Sequence, residues 1–399
     1  MPAAGAPTDP LALPPVPPPA AADHPRRDRV LVLLFALALV LPLAGAFAKR
    51  DLARTAFENR PTAPWPAAPA DAPALRGWPA AVEAAFADRF GGRDRLIALH
   101  HAAKAGVFGV SPVDKVLIGR DGWLYFLGED GRAIDRDWRG VHAYDVDEPR
   151  RVAAEFRRRH DWLAQRGIGY VVVVVPDKAT IYPEHLPSWV RQVDPVTRLD
   201  RLYAALSAHP EIAVLDLRPA LRAAKAQQRV YFKTDSHWNY AGAAVGYGAL
   251  MQALRARRPE LPFVPPERPP YVPGEDVYSG DLAQMLGLPR RFAEDDVAPL
   301  GKVLANAPAR CAQRLDAPPP DAPETGSETY ACARPGLRAL VLRDSMGIAL
   351  VPPLVENFAR TLVLSTRRLD PALVADERPD VVIEELVERA LHAPLAFPL

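Results

Sequence analysis

Five consecutive valines, Val171–Val175, stand between Tyr170 and Pro176. A strand with only one face against a core alternates apolar and polar residues. An unbroken β-branched run has no polar face and must be covered on both sides. Such coverage calls for a parallel sheet with helices on both faces, and the surrounding sequence has the matching rhythm. Asp147 and Pro149 open a helical stretch that closes at Gly167. A further helix is expected over about Thr197 to Ala208, a strand in "IAVLDL", a helix in "PALRAAKAQQ" and a short strand in "VYF". Tyr240 to Arg257 reads as helix, "LRALVL" as a second buried strand, and "TLVLS" and "DVVIEEL" as the last strands. The fold class is therefore α/β, a parallel sheet flanked by helices.

The part of the chain before this core has another character. Val30 to Phe47 is apolar and uncharged, bounded by Arg26, Arg27 and Arg29 on one side and Lys49 and Arg50 on the other. It is long enough for a transmembrane anchor at the short end of the range. "AFA" at Ala46 to Ala48 also suits a cleaved signal segment. Either way, the chain beyond about residue 50 is exported, leaving residues 1–29 as a disordered cytoplasmic N-terminus and 30–48 as the anchor or signal. Prolines concentrate near the N-terminus and again from Pro61 to Pro79, so 49–79 reads as a linker and 80–399 as the folded domain. A helical pattern from Ala80 to Phe108 is interrupted at Gly91-Gly92. "KVLIGRDGWLYFLG" carries the signature of a hairpin, with Trp123 in its core.

Charge is balanced, with 49 lysines and arginines against 48 aspartates and glutamates, so nothing global points to nucleic acid. Cys311 and Cys332 are the only cysteines; in an exported chain such a pair within one loop-like region reads as a disulfide.

Two short stretches hold the candidate chemistry. "TDSHWNYAGA" presents Asp235 and His237 at i and i+2, a spacing that in extended backbone points both side chains the same way. The carboxylate can then orient the imidazole and stabilise its protonated form, leaving Nε2 to take a proton from a hydroxyl. The other readings are a solvated turn with Asp235 as a helix cap, or two metal ligands without a third. "LRDSMG" places Ser345 at the carboxyl end of a strand, where open α/β sheets bind ligands. Its hydroxyl is either a nucleophile or the cap of the next helix, a duty Asp344 could also perform. Both stretches are expected to come after strands of one sheet and to meet at one edge.

These stretches, with "IGRDGWLYF", "VVVVVPDKATIYPEHLP" and "RPDVVIEELVER", resemble the alginate O-acetyltransferase family of the AlgJ and AlgX type, over about Phe57 to Arg389. The resemblance implies an SGNH-hydrolase-like domain with permuted order, aspartate and histidine preceding serine. It implies Ser345 as nucleophile, His237 as base and Asp235 as its orienter; neither a cofactor nor a metal is expected. It also implies a polysaccharide acceptor and a multi-spanning, membrane-bound acyltransferase that relays the acetyl group across the inner membrane to a periplasmic catalytic domain. Met346 stands where an aromatic residue is common and Arg343 where glycine is, so acceptor contacts or the oxyanion environment differ. An acetylesterase using the same triad and a non-catalytic glycan-binding or assembly subunit remain open.

Secondary candidates complete the set. Trp238 is either a sugar-stacking wall or packing beneath its loop. The Gly280 N–H is a candidate oxyanion donor beside Asp281. Arg343 either steers an acidic sugar or pairs with Asp344. Asp177 and Lys178 read as a structural ion pair.

Overall fold

The computed structural model describes residues 25–48, 61–141, 147–266, 277–294, 297–298, 311–315, 326–392 and 395. Of the expected disordered segment 1–29, residues 1–24 lie outside them, as does the first part of the linker, while residues 25–29 are already helical, as the first turn of the apolar helix. The chain divides into two compact units, Met1–Leu96 and Ile97–Leu399.

In the first unit, α1 (Pro25–Ala48) contains a stretch, Arg26–Ala46, long and apolar enough to cross a membrane. Next comes α2 (Ala72–Arg89), which begins inside the segment read as linker. Asp71 accepts the Ala74 N–H and a proline lies in the first turn, a start signal that outweighs the proline-rich surroundings. Helix α3 (Arg93–Val107) starts after Gly92, whose φ of 81° ends α2 as the glycine pair suggested.

The second unit begins within α3, and the expected hairpin comes next, β1 (Val116–Ile118) against β2 (Leu124–Phe126). Asp121 (φ 56°) and Gly122 (φ 78°) are both left-handed, as a two-residue hairpin turn requires. Among the described residues the main sheet has seven strands: β3 (Gly169–Val175), β4 (Ala213–Asp216), β5 (Gln313–Arg314), β6 (Ser327–Ala331), β7 (Arg338–Leu342), β8 (Arg360–Leu364) and β9 (Val381–Val387). Their spatial order is β4-β3-β9-β7-β8-β6-β5. The first five are mutually parallel, while β6 pairs antiparallel with β8 and β5 antiparallel with β6. The parallel expectation thus holds for the centre, with an antiparallel edge added. That edge is built from the cysteine region, where Cys311 and Cys332 are joined. Their sequence separation of 21 makes the cross-link worth about 3 kcal/mol in the chain-entropy model.

Helices cover both faces: α4 (Glu148–Ala164), α5 (Lys178–Ile181), α6 (Arg198–Leu206), α7 (Arg218–Lys225), α8 (Tyr240–Arg257), α9 (Asp281–Met285), α10 (Val351–Val355) and α11 (Pro371–Glu377). The valine run shows why both are needed. Val171, Val173 and Val175 join one core with Tyr247 and Leu250 of α8, and Val172 and Val174 join another with Phe156 of α4 and Leu199 of α6. Strand β9 lies between β3 and β7 and alternates likewise, yet it carries buried Glu384 and Glu385. Glu384 is neutralised by Arg159, whose Nη1 is 2.7 Å from both carboxylate oxygens.

One expected strand is absent from the sheet. "VYF" contributes only a single bridge, Tyr231 to Trp238. The Phe232 N–H donates to His237 O (3.3 Å) and the Asn239 N–H to Val230 O (3.1 Å). Its backbone groups are thus used within the adjoining motif, which folds back on it as a closed loop.

Candidate active site

Ser345 comes after β7, with two residues between strand and serine. Asp344 anchors the turn on both sides: its Oδ1 accepts the Met346 N–H (2.9 Å) and its Oδ2 the Val387 N–H (2.7 Å) at the end of β9. Beneath the turn, Glu385 Oε2 accepts the Asp344 N–H at 3.2 Å. It also lies 2.4 Å from where a Gly347 Cβ would be, so only glycine fits there. Burial, then the charge of Asp344, pushes the Glu385 carboxyl well above its usual range. The capping question is thereby decided. Asp344 does the capping, whereas the Ser345 side chain caps nothing and is exposed, and the residues after it, Met346–Ala349, form only a short 3-10 turn. Ser345 opens onto a groove of about 490 Å³ lined also by Arg343, Ser327, Ser365, Thr366 and Arg367; His237 does not line it.

The loop of Asp235 and His237 has no strand of the main sheet to carry it and is fastened by other means. Glu294 accepts both N–H groups of Lys233 (3.0 Å) and Thr234 (2.7 Å) and the Thr234 hydroxyl. The Leu124 N–H of the hairpin donates to Lys233 O, and the buried Lys178 ammonium donates to Leu124 O and Lys233 O. Burial lowers Lys178 to about 8 against the opposing charges of Asp235, Glu294 and Asp281. Lys178 therefore clamps the loop and does not pair with Asp177, whose partner is Arg389.

Within the loop, His237 Nδ1 lies 2.6 Å from Asp235 Oδ1, which also accepts the His237 N–H at 3.0 Å. Asp235 Oδ2 accepts the Tyr278 hydroxyl and, at 3.1 Å, the Asp281 N–H. Burial alone would raise Asp235, but the bonds and charge of His237, with Tyr278 and the Asp281 N–H, hold it far below the carboxylate range. For His237, burial is outweighed by the bond and charge of Asp235, reinforced by Asp281, and the imidazole titrates above its ordinary value. With Nδ1–H given to Asp235, Nε2 is the free acceptor of the neutral ring. It is a buried nitrogen with no hydrogen-bond partner among the described residues, so no bond links it to Ser345 Oγ in this structure.

The two motifs nevertheless touch. Trp238 Nε1, one residue after the histidine, donates to the carbonyl of Met346, one residue after the serine, at 3.0 Å. Arg389 adds an electrostatic link: it pairs with Asp177, is stabilised by Asp344 and Asp281, and its charge acts on His237.

Several secondary expectations change. Trp238 is fully buried and bonded, so it is packing and a tether, not a sugar wall. The Gly280 N–H is already donated to Thr234 Oγ1 (3.0 Å), which removes it as an oxyanion donor; a Cβ there would come within 2.5 Å of Asp235 Cα, so the glycine permits close packing. Arg343 is buried, contacts Glu328 (3.4 Å) and the Asp344 carbonyl (3.3 Å), and lines the groove. The third ligand that the metal reading lacked is Asp281, grouped with Asp235 and His237 within 4.8 Å. Its oxygens accept the Ser236 N–H (2.7 Å) and hydroxyl (2.5 Å), and those of Asp235 are similarly engaged, so hydrogen bonds already close the cluster.

Sequence reading overlooked Tyr278, Asp281, Glu294, Glu385 and Arg389 as supports of the site. For the last two a signal existed: acidic and basic residues in an otherwise apolar strand segment, "VVIEELVER", need a reason to be buried. Tyr278 and Glu294 gave none, being joined only by a bridge between segments distant from the motif.

Residues 116–313 match the family described as ALGX, SGNH hydrolase-like domain, acetyltransferase AlgX. That range includes Lys178, Asp235, His237, Trp238 and Asp281 and ends before Ser345. The chain is 32% identical over 190 residues to the protein named probable alginate O-acetylase AlgJ of Pseudomonas aeruginosa, covering 45% of this chain and 43% of that protein. The protein of the same name in Pseudomonas syringae pv. tomato is 29% identical over 178 residues, again 45% and 43%. The match thus spans less than half the length of these relatives. Similar solved structures include the O-acetyltransferase domain of Pseudomonas putida AlgJ (21% identity, 70% of this chain, 92% of that one, TM-score 0.45) and Bacillus cereus PatB1 (16%, 70%, 98%, TM-score 0.48).

Proposed function

We propose that this chain, whose residues 116–313 carry an AlgX-type SGNH hydrolase-like domain, is a polysaccharide O-acetyltransferase held at the inner membrane by α1 with its catalytic unit in the periplasm. The observation that carries the site assignment is the Trp238–Met346 hydrogen bond, which fastens the residue after His237 to the residue after Ser345 across 108 positions of sequence. On this reading an exposed serine whose side chain caps nothing and a histidine oriented by a carboxylate act together from the two loops that this bond joins.

In the first step the Ser345 hydroxyl attacks the acyl carbonyl of an acetyl donor. Its proton passes to His237 Nε2, Asp235 stabilises the imidazolium, and the donor's leaving group departs with that proton. In the second step a sugar hydroxyl gives its proton to His237 and attacks the acetyl-serine. The serine–acyl bond breaks, Ser345 regains a proton, and the sugar carries the ester. Nε2 and Oγ share no hydrogen bond here, so the mechanism requires them to come within hydrogen-bond reach around bound substrate. Arg343 and Arg367 line the groove beside Ser345, which gives the acceptor a place to lie. An exported transferase has no access to cytoplasmic acetyl-CoA, so a membrane-bound acyltransferase partner supplies the acetyl group.

The test is acetyl transfer from an activated acetyl ester to a panel of oligosaccharides, with intact-mass detection of acetyl-Ser345. Acetylated sugar that disappears in Ser345→Ala supports the proposal. Hydrolysis with no acetylated sugar would make the protein an acetylesterase. An identical, inert result for wild type and Ser345→Ala would leave a glycan-binding subunit.

A further inference from the structure

Helix α3 turns its apolar side to solvent. In its Ile97–Val107 part, the inward side carries buried Ala105 and His101, whose Nδ1 lies 2.7 Å from Leu286 O. The outward side carries Leu99 (68% exposed), Ala102 and Val107 (77%), and the chain continues into Phe108 (71%) and Val110 (52%). A surface helix normally shows the reverse arrangement. The apolar stripe has a basic border. Arg290 and Arg291 are exposed, Arg291 Nη1 lies 3.4 Å from where a Gly106 Cβ would stand, and Lys104 is half-buried on the same helix. The helix is also the first element of the Ile97–Leu399 unit, the point where the chain coming from α1 enters it.

We propose that Leu99, Val107, Phe108 and Val110 insert into the interfacial layer of the bilayer that α1 spans, with Arg291 and Lys104 on anionic headgroups. An apolar stripe bordered by cations matches a surface that is hydrocarbon below and negatively charged at the rim. The uncharged α1 segment supplies that surface to the same chain. The inference rests on reading α1 as a membrane span, and its consequence is a catalytic unit tethered twice, by α1 and by α3.

The full chain is placed in vesicles of phosphatidylcholine and phosphatidylglycerol, with a nitroxide label at one site per sample: Phe108→Cys, Leu37→Cys in α1, or Ser207→Cys on the exposed end of α6. Collision with oxygen reports lipid, and collision with a water-soluble nickel chelate reports solvent. The expected result is a Phe108 label that favours oxygen at headgroup depth, a Leu37 label deeper still, and a Ser207 label in water. Arg291→Glu should move the Phe108 label toward water. A Phe108 label as water-exposed as Ser207 while Leu37 is in lipid overturns the proposal and leaves the anchor intact. A Phe108 label shielded from both reagents marks a protein partner, a second copy or another membrane protein, and overturns it too. A Leu37 label in water removes the anchor reading itself, and the docking surface falls with it.

Discussion

The turn that carries Ser345 rises from β7, a strand with parallel partners on both sides, whereas the loop that carries Asp235 and His237 grows from a segment holding one β-bridge. The serine turn inherits its position from the sheet and needs only local fastening, by Asp344 and Glu385. The histidine loop is suspended from side chains that come from far along the sequence: Lys178, Tyr278, Asp281 and Glu294. A residue placed by a sheet tolerates the loss of a neighbour. A residue placed by a polar network depends on each member, because every buried group left without its partner costs about 1–3 kcal/mol. The two regions should therefore respond differently to substitution, even though they act together.

The severest challenge to this contrast is to remove the chemistry from each region in turn. His237→Ala is expected to slow acetyl-enzyme formation about a thousandfold, within the range of general-base contributions, and Ser345→Ala to abolish it. The double variant should be no worse than Ser345→Ala, since members of one catalytic unit are non-additive. Losses that are small and multiply would mean the two regions do not share a reaction.

Asp235→Asn probes the histidine loop alone. As a base His237 works only when neutral, and its raised value puts the acid limb of kcat/KM above the ordinary imidazole range. Taking away the carboxylate should lower the plateau and move that limb to lower pH, which a pH–rate profile reads directly. A stability effect of the opposite sense accompanies it. Asp235 is depressed in the folded protein, so its contribution is present above the unfolded carboxylate value and is lost as pH falls through the folded one. Urea melts of wild type and Asp235→Asn should thus converge in strong acid; a constant difference down to low pH would reject this linkage.

Trp238→Phe tests the tether between the regions. Keeping a six-membered aromatic ring while deleting the indole N–H takes this donor from the Met346 carbonyl, at a cost of about 1–3 kcal/mol, and adds a packing loss at a fully buried site. Because the bond is what joins the loops, kcat should fall several-fold with little change in KM. Unchanged turnover in a destabilised protein would make Trp238 core packing alone.

The mildest response is expected at Glu385→Gln. Burial raises the carboxyl well above its usual range, which favours the uncharged form, and a carboxamide of the same shape can still accept the Asp344 N–H. Thermal stability and turnover should stay near wild type, whereas Glu385→Ala should loosen the serine turn and lower both. A large loss in Glu385→Gln would show that the group works as an anion, contrary to its environment.

Much of this was legible in the chain. Val171–Val175 announces a doubly covered strand because it has no polar face. Asp147, expected to cap α4, makes no side-chain capping bond to that helix's backbone, whereas Thr197, Asn239 and Asp370 cap α6, α8 and α11 through their side chains. The spacing of Asp235 and His237 was likewise sufficient to bring Nδ1 to the carboxylate. "VYF" misled because three apolar residues satisfy a strand pattern, yet their N–H and C=O groups found closer partners in the loop itself. Gly280 misled because a glycine beside a helix start fits an oxyanion donor, and only the fold shows its N–H already given to Thr234.

Features that depend on neighbours within a few residues were settled by residue order alone: the periodicity of strands and helices, the hairpin turn at Asp121-Gly122, the apolar span of α1 and the Asp235–His237 pair. Features that depend on the meeting of distant segments waited for the packed chain. Packing set the antiparallel edge at β6 and β5, gave Asp235 its further donors from Tyr278 and the Asp281 N–H, and placed Glu385 under the serine turn. It also tied Trp238 to Met346. The reason is physical: local patterns are read by backbone geometry, which repeats, whereas a buried polar atom takes whichever partner the packing of the whole chain leaves within about 3 Å.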